Sequence, residues 1–163
     1  MTPLELVGVR IEVPANTPML LLQEQEGERR LLPIYIGHPE ASAIHLALEH
    51  VTPPRPLTHD LLALVLDELG ATLERVVITA VIDHTYHAEL HLTAADGEHV
   101  VSARTSDSVA LALRCEAPIF ATEELLDEAG QPAEVSEEAE EADEIIDEFK
   151  DFIESVSPED FAG

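Results

Sequence analysis

Arg104-Thr105-Ser106-Asp107-Ser108-Val109-Ala110-Leu111-Ala112-Leu113-Arg114 is the stretch on which the fold turns. It opens with a guanidinium, two hydroxyls and a carboxylate, then becomes small and apolar. Ser106 is the predicted N-cap, because its oxygen can accept from an orphan backbone N–H. Asp107 then falls in the first turn, where the helix dipole favours negative charge. The Val, Ala and Leu run has no polar face, which predicts a helix buried on all sides. A polar cluster is therefore anchored at the positive end of a core element. Two accounts fit it: a capped core helix with an ion pair, or a site for an anion or a metal-bound phosphate.

Outward from that helix, the 163 residues suffice for one domain with a proper core plus an appendage. The net charge of −26 is split unevenly. Residues 131–163 hold 13 acidic groups against a single lysine. General, salt-driven nucleic-acid binding needs Lys and Arg to displace counterions, so this charge argues against it. Any phosphate binding is local or uses a divalent cation. No apolar run approaches the length of a membrane span, and the first residues lack the pattern of a signal peptide. The one cysteine, Cys115, excludes an internal disulfide and reads as a small buried hydrophobe. The expectation is a cytoplasmic protein with no membrane partner.

Taken in order, residues 4–13 alternate and are β-rich, and Pro14-Ala15-Asn16-Thr17-Pro18 ends them. Residues 19–25 and 30–36 predict two more strands of an antiparallel meander. Proline at the first helical position predicts a helix over residues 39–50. Ala41, Ala43, Ile44, Ala47, Leu48 and Val51 mark its apolar face. Three prolines make residues 51–57 a stiff connector. Thr58 as N-cap and Gly70 just past the end delimit a second helix. Residues 73–81, 84–94 and 99–103 predict three strands, with Asp96-Gly97 as a hairpin signal. A strand over residues 118–121 and a helix from Thr122 to Gly130 follow. The order is βββ-α-α-βββ-α-β-α. The fold class is α+β, a mixed, mainly antiparallel sheet with three or four packed helices, plus a C-terminal amphipathic helix. The domain spans residues 1–130 and the acidic linker and helix residues 131–163.

Three predicted helices begin with polar groups: His38-Pro39-Glu40, Thr58-His59-Asp60 and Ser106-Asp107. Arg55 and Arg104 stand just before two of them. If the starts converge, they offer three carboxylates for a divalent cation and two guanidiniums for phosphate, the kit of metal-assisted phosphodiester cleavage. Acids at helix starts also arise for dipole reasons alone. His87, Glu89 and His91 share one strand face at a spacing that could hold a metal, although a solvated face explains them equally.

Several motifs together resemble the bifunctional nuclease family of bacteria. They are Leu32-Pro33-Ile34-Tyr35-Ile36-Gly37 with Glu40-Ala41 and Ala43-Ile44; then Arg55-Pro56 with Thr58-His59-Asp60-Leu61; then Arg104 with Ser106-Asp107-Ser108, Ala110-Leu111-Ala112 and Arg114, followed by Pro118-Ile119. The resemblance covers roughly residues 1–130. Thr105 and Ser108 stand where the family pattern usually has Pro and Ala. The resemblance implies an α+β fold, self-association and nuclease activity on RNA and DNA.

Two functions follow. In the first, the protein is a divalent-metal-dependent nuclease. Glu40, Asp60 and Asp107 hold Mg²⁺ or Mn²⁺, which suit hard carboxylate oxygens. Arg55 and Arg104, with Thr58 and Ser106, bind the substrate phosphate. His59 transfers protons, because an imidazole ordinarily titrates near neutrality, and works with Asp60 and Asp107 as the catalytic set. In the second, the protein is a non-catalytic binding or regulatory module, with Arg104–Asp107 and Arg55–Asp60 as structural ion pairs. The expected partner is single-stranded nucleic acid or a small phosphate-containing ligand. Beyond Gly130, Val135, Ala139, Ala142, Ile146, Phe149, Ile153 and Val156 recur at spacings of four and three. That stripe predicts a docked amphipathic helix and a homodimer built through it.

Overall fold

The computed structural model describes residues 1–133. The chain divides into a unit Met1–Gln131 and a unit Pro132–Gly163. The expected C-terminal helix lies outside the described residues.

The element order is β1 (Thr2–Glu12), β2 (Thr17–Glu24), β3 (Leu31–Tyr35), α1 (His38–Leu48), α2 (Thr58–Glu68), β4 (Thr72–Ile82), β5 (Thr85–Ala94), β6 (Gly97–Arg104), α3 (Thr105–Cys115), β7 (Ile119–Ala121) and α4 (Glu123–Ala129). The βββ-α-α-βββ-α-β-α pattern and the α+β class are both present. The strands form one sheet in the order β3-β2-β1-β7-β4-β5-β6. Strand β7 runs parallel to β4, and every other adjacent pair is antiparallel. Two three-strand meanders are thus joined through the short β7. That strand reaches its slot because α3 carries the chain back across the sheet.

Helix α3 is the buried element its composition predicts. Val109, Ala110, Leu111 and Ala112 are buried, and Thr105, Ser106 and Ser108 with them. Removing that apolar surface from water is the main stabilising term for such a helix. Its small alanines let α1, α2 and strands β4, β5 and β6 approach closely. Strand β5 sends Ala88 and Leu90 to the core, with Tyr86 and Leu92 partly buried against it, and sets His87, Glu89 and His91 on the opposite face, as strand alternation requires.

Both expected N-caps are corrected. Helix α3 begins at Thr105 with extended Arg104 as its N-cap, so Ser106 lies inside the first turn. Strand β6 stays paired through Arg104, opposite His87, and leaves no loop residue for a side-chain cap. In α2 the N-cap is Leu57, and Thr58 is the first helical residue. The Asp60 carboxylate reaches back to accept the Leu57 N–H at 2.9 Å. Thr122 does cap α4, accepting from the Leu125 N–H.

Helix α2 also differs from a core helix. None of its residues is fully buried, and Leu61, Leu62, Leu64 and Val65 are exposed. Only Ala63 and Leu66 of α2 pack against the core cluster, where the helix lies against α3 and β4. No described helix is long and apolar enough to cross a membrane.

Candidate functional site

The starts of the three helices meet. The side chain of Arg104 leaves the end of β6 and bridges two carboxylates. Its Nε donates to Asp107 Oδ2 at 2.8 Å and its Nη2 to Glu40 Oε1 at 3.0 Å. Asp107 Oδ1 lies 2.9 Å from His59 Nε2. Glu40 of α1, Arg104 and Asp107 of the β6–α3 junction and His59 of α2 therefore form one continuous chain of contacts. Arg104 is 64% exposed, whereas the His59 ring is 13% exposed. An accessible guanidinium and a sheltered imidazole thus share one carboxylate, Asp107.

Asp60 goes elsewhere. Its Oδ1 receives Arg114 Nε at 2.5 Å and its Oδ2 receives the Leu57 N–H. Arg114 also donates to the carbonyls of Ala110 and Ala43. One guanidinium in the last turn of α3 therefore ties α1, α2 and α3 together. The anticipated Arg55–Asp60 pair does not form. Arg55 is exposed on the connector, with no ion-pair partner among the described residues. Thr58 is exposed, and Ser106 is buried beside Arg104.

The trio Glu40, Asp60 and Asp107 is not assembled as a ligand set. Among the described residues no group of three His, Cys, Asp or Glu side chains is placed to hold one metal ion. The same holds for His87, Glu89 and His91. There, His91 instead contacts Arg75 through Nδ1 at 3.1 Å and Glu89 through Nε2 at 3.2 Å.

Burial pushes the Asp107 carboxyl up, but the hydrogen bonds from His59 and Arg104 outweigh it and hold its pKa below the ordinary value. Asp60 behaves alike: burial raises it, and the bonds from Arg114 and the Leu57 N–H lower it further than that. Arg104 is pushed up, first by its bond to Asp107. A carboxylate depressed in the folded state binds fewer protons there than in the unfolded chain. Its stabilising contribution is full above the unfolded value and is lost as pH falls through the folded one. The parent protein should therefore lose melting temperature as pH drops below about 4. Asp60→Asn protein, less stable at pH 7, should lose less over the same interval. Parallel melting curves at pH 7, 5, 4 and 3 check this, and equal slopes would remove the linkage.

Sequence reading missed Arg114 as the partner of Asp60. Its signal was present, because Arg114 is the one charged side chain after a wholly apolar run. Gly37 was missed as well. A Cβ built on it would lie 2.2 Å from Glu40 Oε2. The missing side chain is what lets the Glu40 carboxylate fold back over the start of α1 toward Arg104.

A family model described as the bifunctional nuclease domain matches residues 20–134. The chain belongs to the bifunctional nuclease domain family. It is 46% identical over 165 residues to an uncharacterized protein of Mycobacterium tuberculosis, covering 99% of this chain and 98% of that protein. It is 31% identical over 116 residues to Bifunctional nuclease 2 of Oryza sativa subsp. japonica, covering 69% of this chain and 35% of the rice protein. It is 29% identical over 103 residues to Bifunctional nuclease 2 of Arabidopsis thaliana, covering 61% of this chain and 31% of that protein. The chain thus spans about a third of the length of these plant relatives. The bifunctional nuclease match takes in Glu40, His59, Asp60, Arg104, Asp107 and Arg114, and leaves β1 outside. The bifunctional nuclease domain is therefore the part of the chain that holds the whole cluster.

Proposed function

We propose that the chain is a nuclease that hydrolyses RNA or DNA phosphodiesters at the cluster of His59, Asp107 and Arg104. The observation that supports this best is an imidazole held by a carboxylate beside an exposed guanidinium. Asp107 accepts from His59 Nε2–H and so fixes the ring and its tautomer. Nδ1 then presents a lone pair that takes a proton from water as the water oxygen attacks phosphorus. The new P–O bond replaces the ester bond, the leaving oxygen takes a proton from solvent water, and the imidazolium returns its proton to solvent. Asp107 stabilises the imidazolium that forms. Arg104 grips the non-bridging oxygens, where charge builds in the transition state. Asp60 and Arg114 are positioning residues in this account, because they set α2 against α3.

Mg²⁺ and Mn²⁺ match the oxygen chemistry of Glu40 and Asp107 but not the arrangement. Each of the two already receives Arg104, and Asp60 is held by Arg114. Cleavage measured with and without chelator reads a metal requirement directly. We also propose that the chain self-associates; light scattering of the intact chain that gives a monomer mass would contradict this.

A non-catalytic binding module is favoured by one observation: every charged group of the cluster has a protein partner, as structural ion pairs would. The two readings separate in one assay: cleavage of labelled single-stranded RNA and DNA with Mg²⁺, Mn²⁺ or chelator, by parent and His59→Ala proteins. Loss of cleavage in the variant supports the nuclease. Equal rates mean a contaminant is cutting and favour the binding module.

Gly37→Ala offers a milder probe. The added Cβ displaces only the end of a flexible side chain, so the melting temperature should move by no more than about 3 °C. The displaced Glu40 frees Arg104 to swing, and cleavage should fall by about threefold to tenfold. A large loss of stability would show that Gly37 serves the backbone rather than Glu40.

A further inference from the structure

A groove of about 280 Å³ opens on the side of Arg104 and takes in none of Glu40, His59 or Asp107. Its walls are the end of β3 with Tyr35 and Gly37, the start of β5 with His84 and Tyr86, and the start of α3 with Thr105 and Ser106. We propose that this groove is a subsite for one unpaired nucleotide of the substrate. Its phosphate is held by Arg104, Ser106 and the first turn of α3, and its base lies against Tyr35. The choice of a nucleotide as occupant rests on the nuclease reading.

The start of α3 has donors to spare. No side chain caps this 11-residue helix. The free N–H groups of a helix start attract anions. Thr105 supplies the second, independent sign. It is 2% exposed, lines the groove, and its Oγ1 has no hydrogen-bond partner among the described residues. A buried hydroxyl left unpaired is costly, and a ligand oxygen would satisfy it. Arg104 also has capacity left. A guanidinium carries five N–H donors, and the two contacts to Asp107 and Glu40 leave the others for a phosphate.

The far wall suits a base. Tyr35 is 60% exposed, and its hydroxyl is tied to Glu12, which raises its pKa above the ordinary phenol value. A ring pinned at one edge keeps a face free, and base–aromatic stacking tolerates any sequence. Asp83 and His84 both hold left-handed backbone, at φ 48° and φ 60°, and this tight turn brings His84 to the groove. A net charge of −26 argues against salt-driven binding along a phosphate backbone. It does not argue against one phosphate at one guanidinium and one stacked base. The pairing of few phosphate contacts with an aromatic ring favours a short single strand over a duplex, whose bases are already stacked.

The test is calorimetric titration with thymidine 3′,5′-bisphosphate, which has a base and phosphates but no diester to cleave. Parent protein should bind it one to one, and at least about tenfold more tightly than thymidine or inorganic phosphate. Tyr35→Ala should weaken binding by about tenfold. Thr105→Val should weaken it by about fivefold, while its melting temperature stays level or rises, because the variant removes an unpaired hydroxyl. If the bisphosphate binds no better than phosphate, or if both variants bind like the parent, the subsite is wrong. Cleavage of RNA with no bisphosphate binding overturns the subsite and leaves the nuclease reading standing. Bisphosphate binding as stated, with no cleavage under any condition, supports the subsite and ends the nuclease reading.

Discussion

Asp107→Asn protein should cleave labelled single-stranded RNA at about a hundredth to a ten-thousandth of the parent rate, the usual range for loss of positioned acid–base catalysis. The carboxylate receives both His59 and Arg104. An amide carries no charge to stabilise the imidazolium, and one of its two ends cannot accept. The stability cost should be small beside this, on the order of 1–2 kcal/mol, since Asp107 is partly solvated and Asn keeps the shape. A single-turnover rate with excess protein reads the chemical step. Asp107→Asn protein that cleaves within about threefold of the parent, with its fold intact, would remove Asp107 from the mechanism.

The second large effect is on stability. Arg114→Ala should lower the melting temperature by about 10 °C, equivalent to about 3 kcal/mol. The variant loses the bond to Asp60 and two bonds to backbone carbonyls. It also strands Asp60, whose carboxylate is only partly exposed. An unpaired, half-buried charge is worse than no charge, so Asp60→Leu added to Arg114→Ala should recover part of the loss. If the double variant melts lower than the single one, the pair is not the joint between α2 and α3 that the geometry describes.

Most of the architecture was legible because it is written in local patterns. Alternation marked the strands of both meanders, Asp96-Gly97 marked the β5–β6 turn, and the apolar run after Asp107 marked α3 as a core helix. The family motifs pointed to the same fold. What local patterns cannot carry is a choice among equivalent partners. Asp60 had Arg55 five residues away and Arg114 fifty-four residues away, and only the packing of α2 on α3 selects the second. The Ser106 cap failed for a similar reason: pairing of β6 with β5 extends one residue further than its side chains suggest, and absorbs Arg104. The end signals of α2 placed the helix but did not state how much of it the neighbouring elements cover, and Leu61, Leu62, Leu64 and Val65 stay exposed. Within the site, the three polar helix starts offered Glu40, His59, Arg104 and Asp107 as candidates, but whether they meet depends on how α1, α2 and α3 pack, which no local pattern states. The diversion of Asp60 to Arg114 depends on the same packing, and it takes Asp60 out of the expected carboxylate trio.

The central claim is that His59 and Asp107 act as one unit in cleavage. A double-mutant cycle on single-turnover rates tests it most directly, with His59→Ala, Asp107→Asn and the double variant prepared by the same purification. The account predicts that each single variant loses at least about a hundredfold, and that the double variant is no slower than the slower of the two. Single variants that cleave like the parent, or losses that multiply in the double variant, would contradict it.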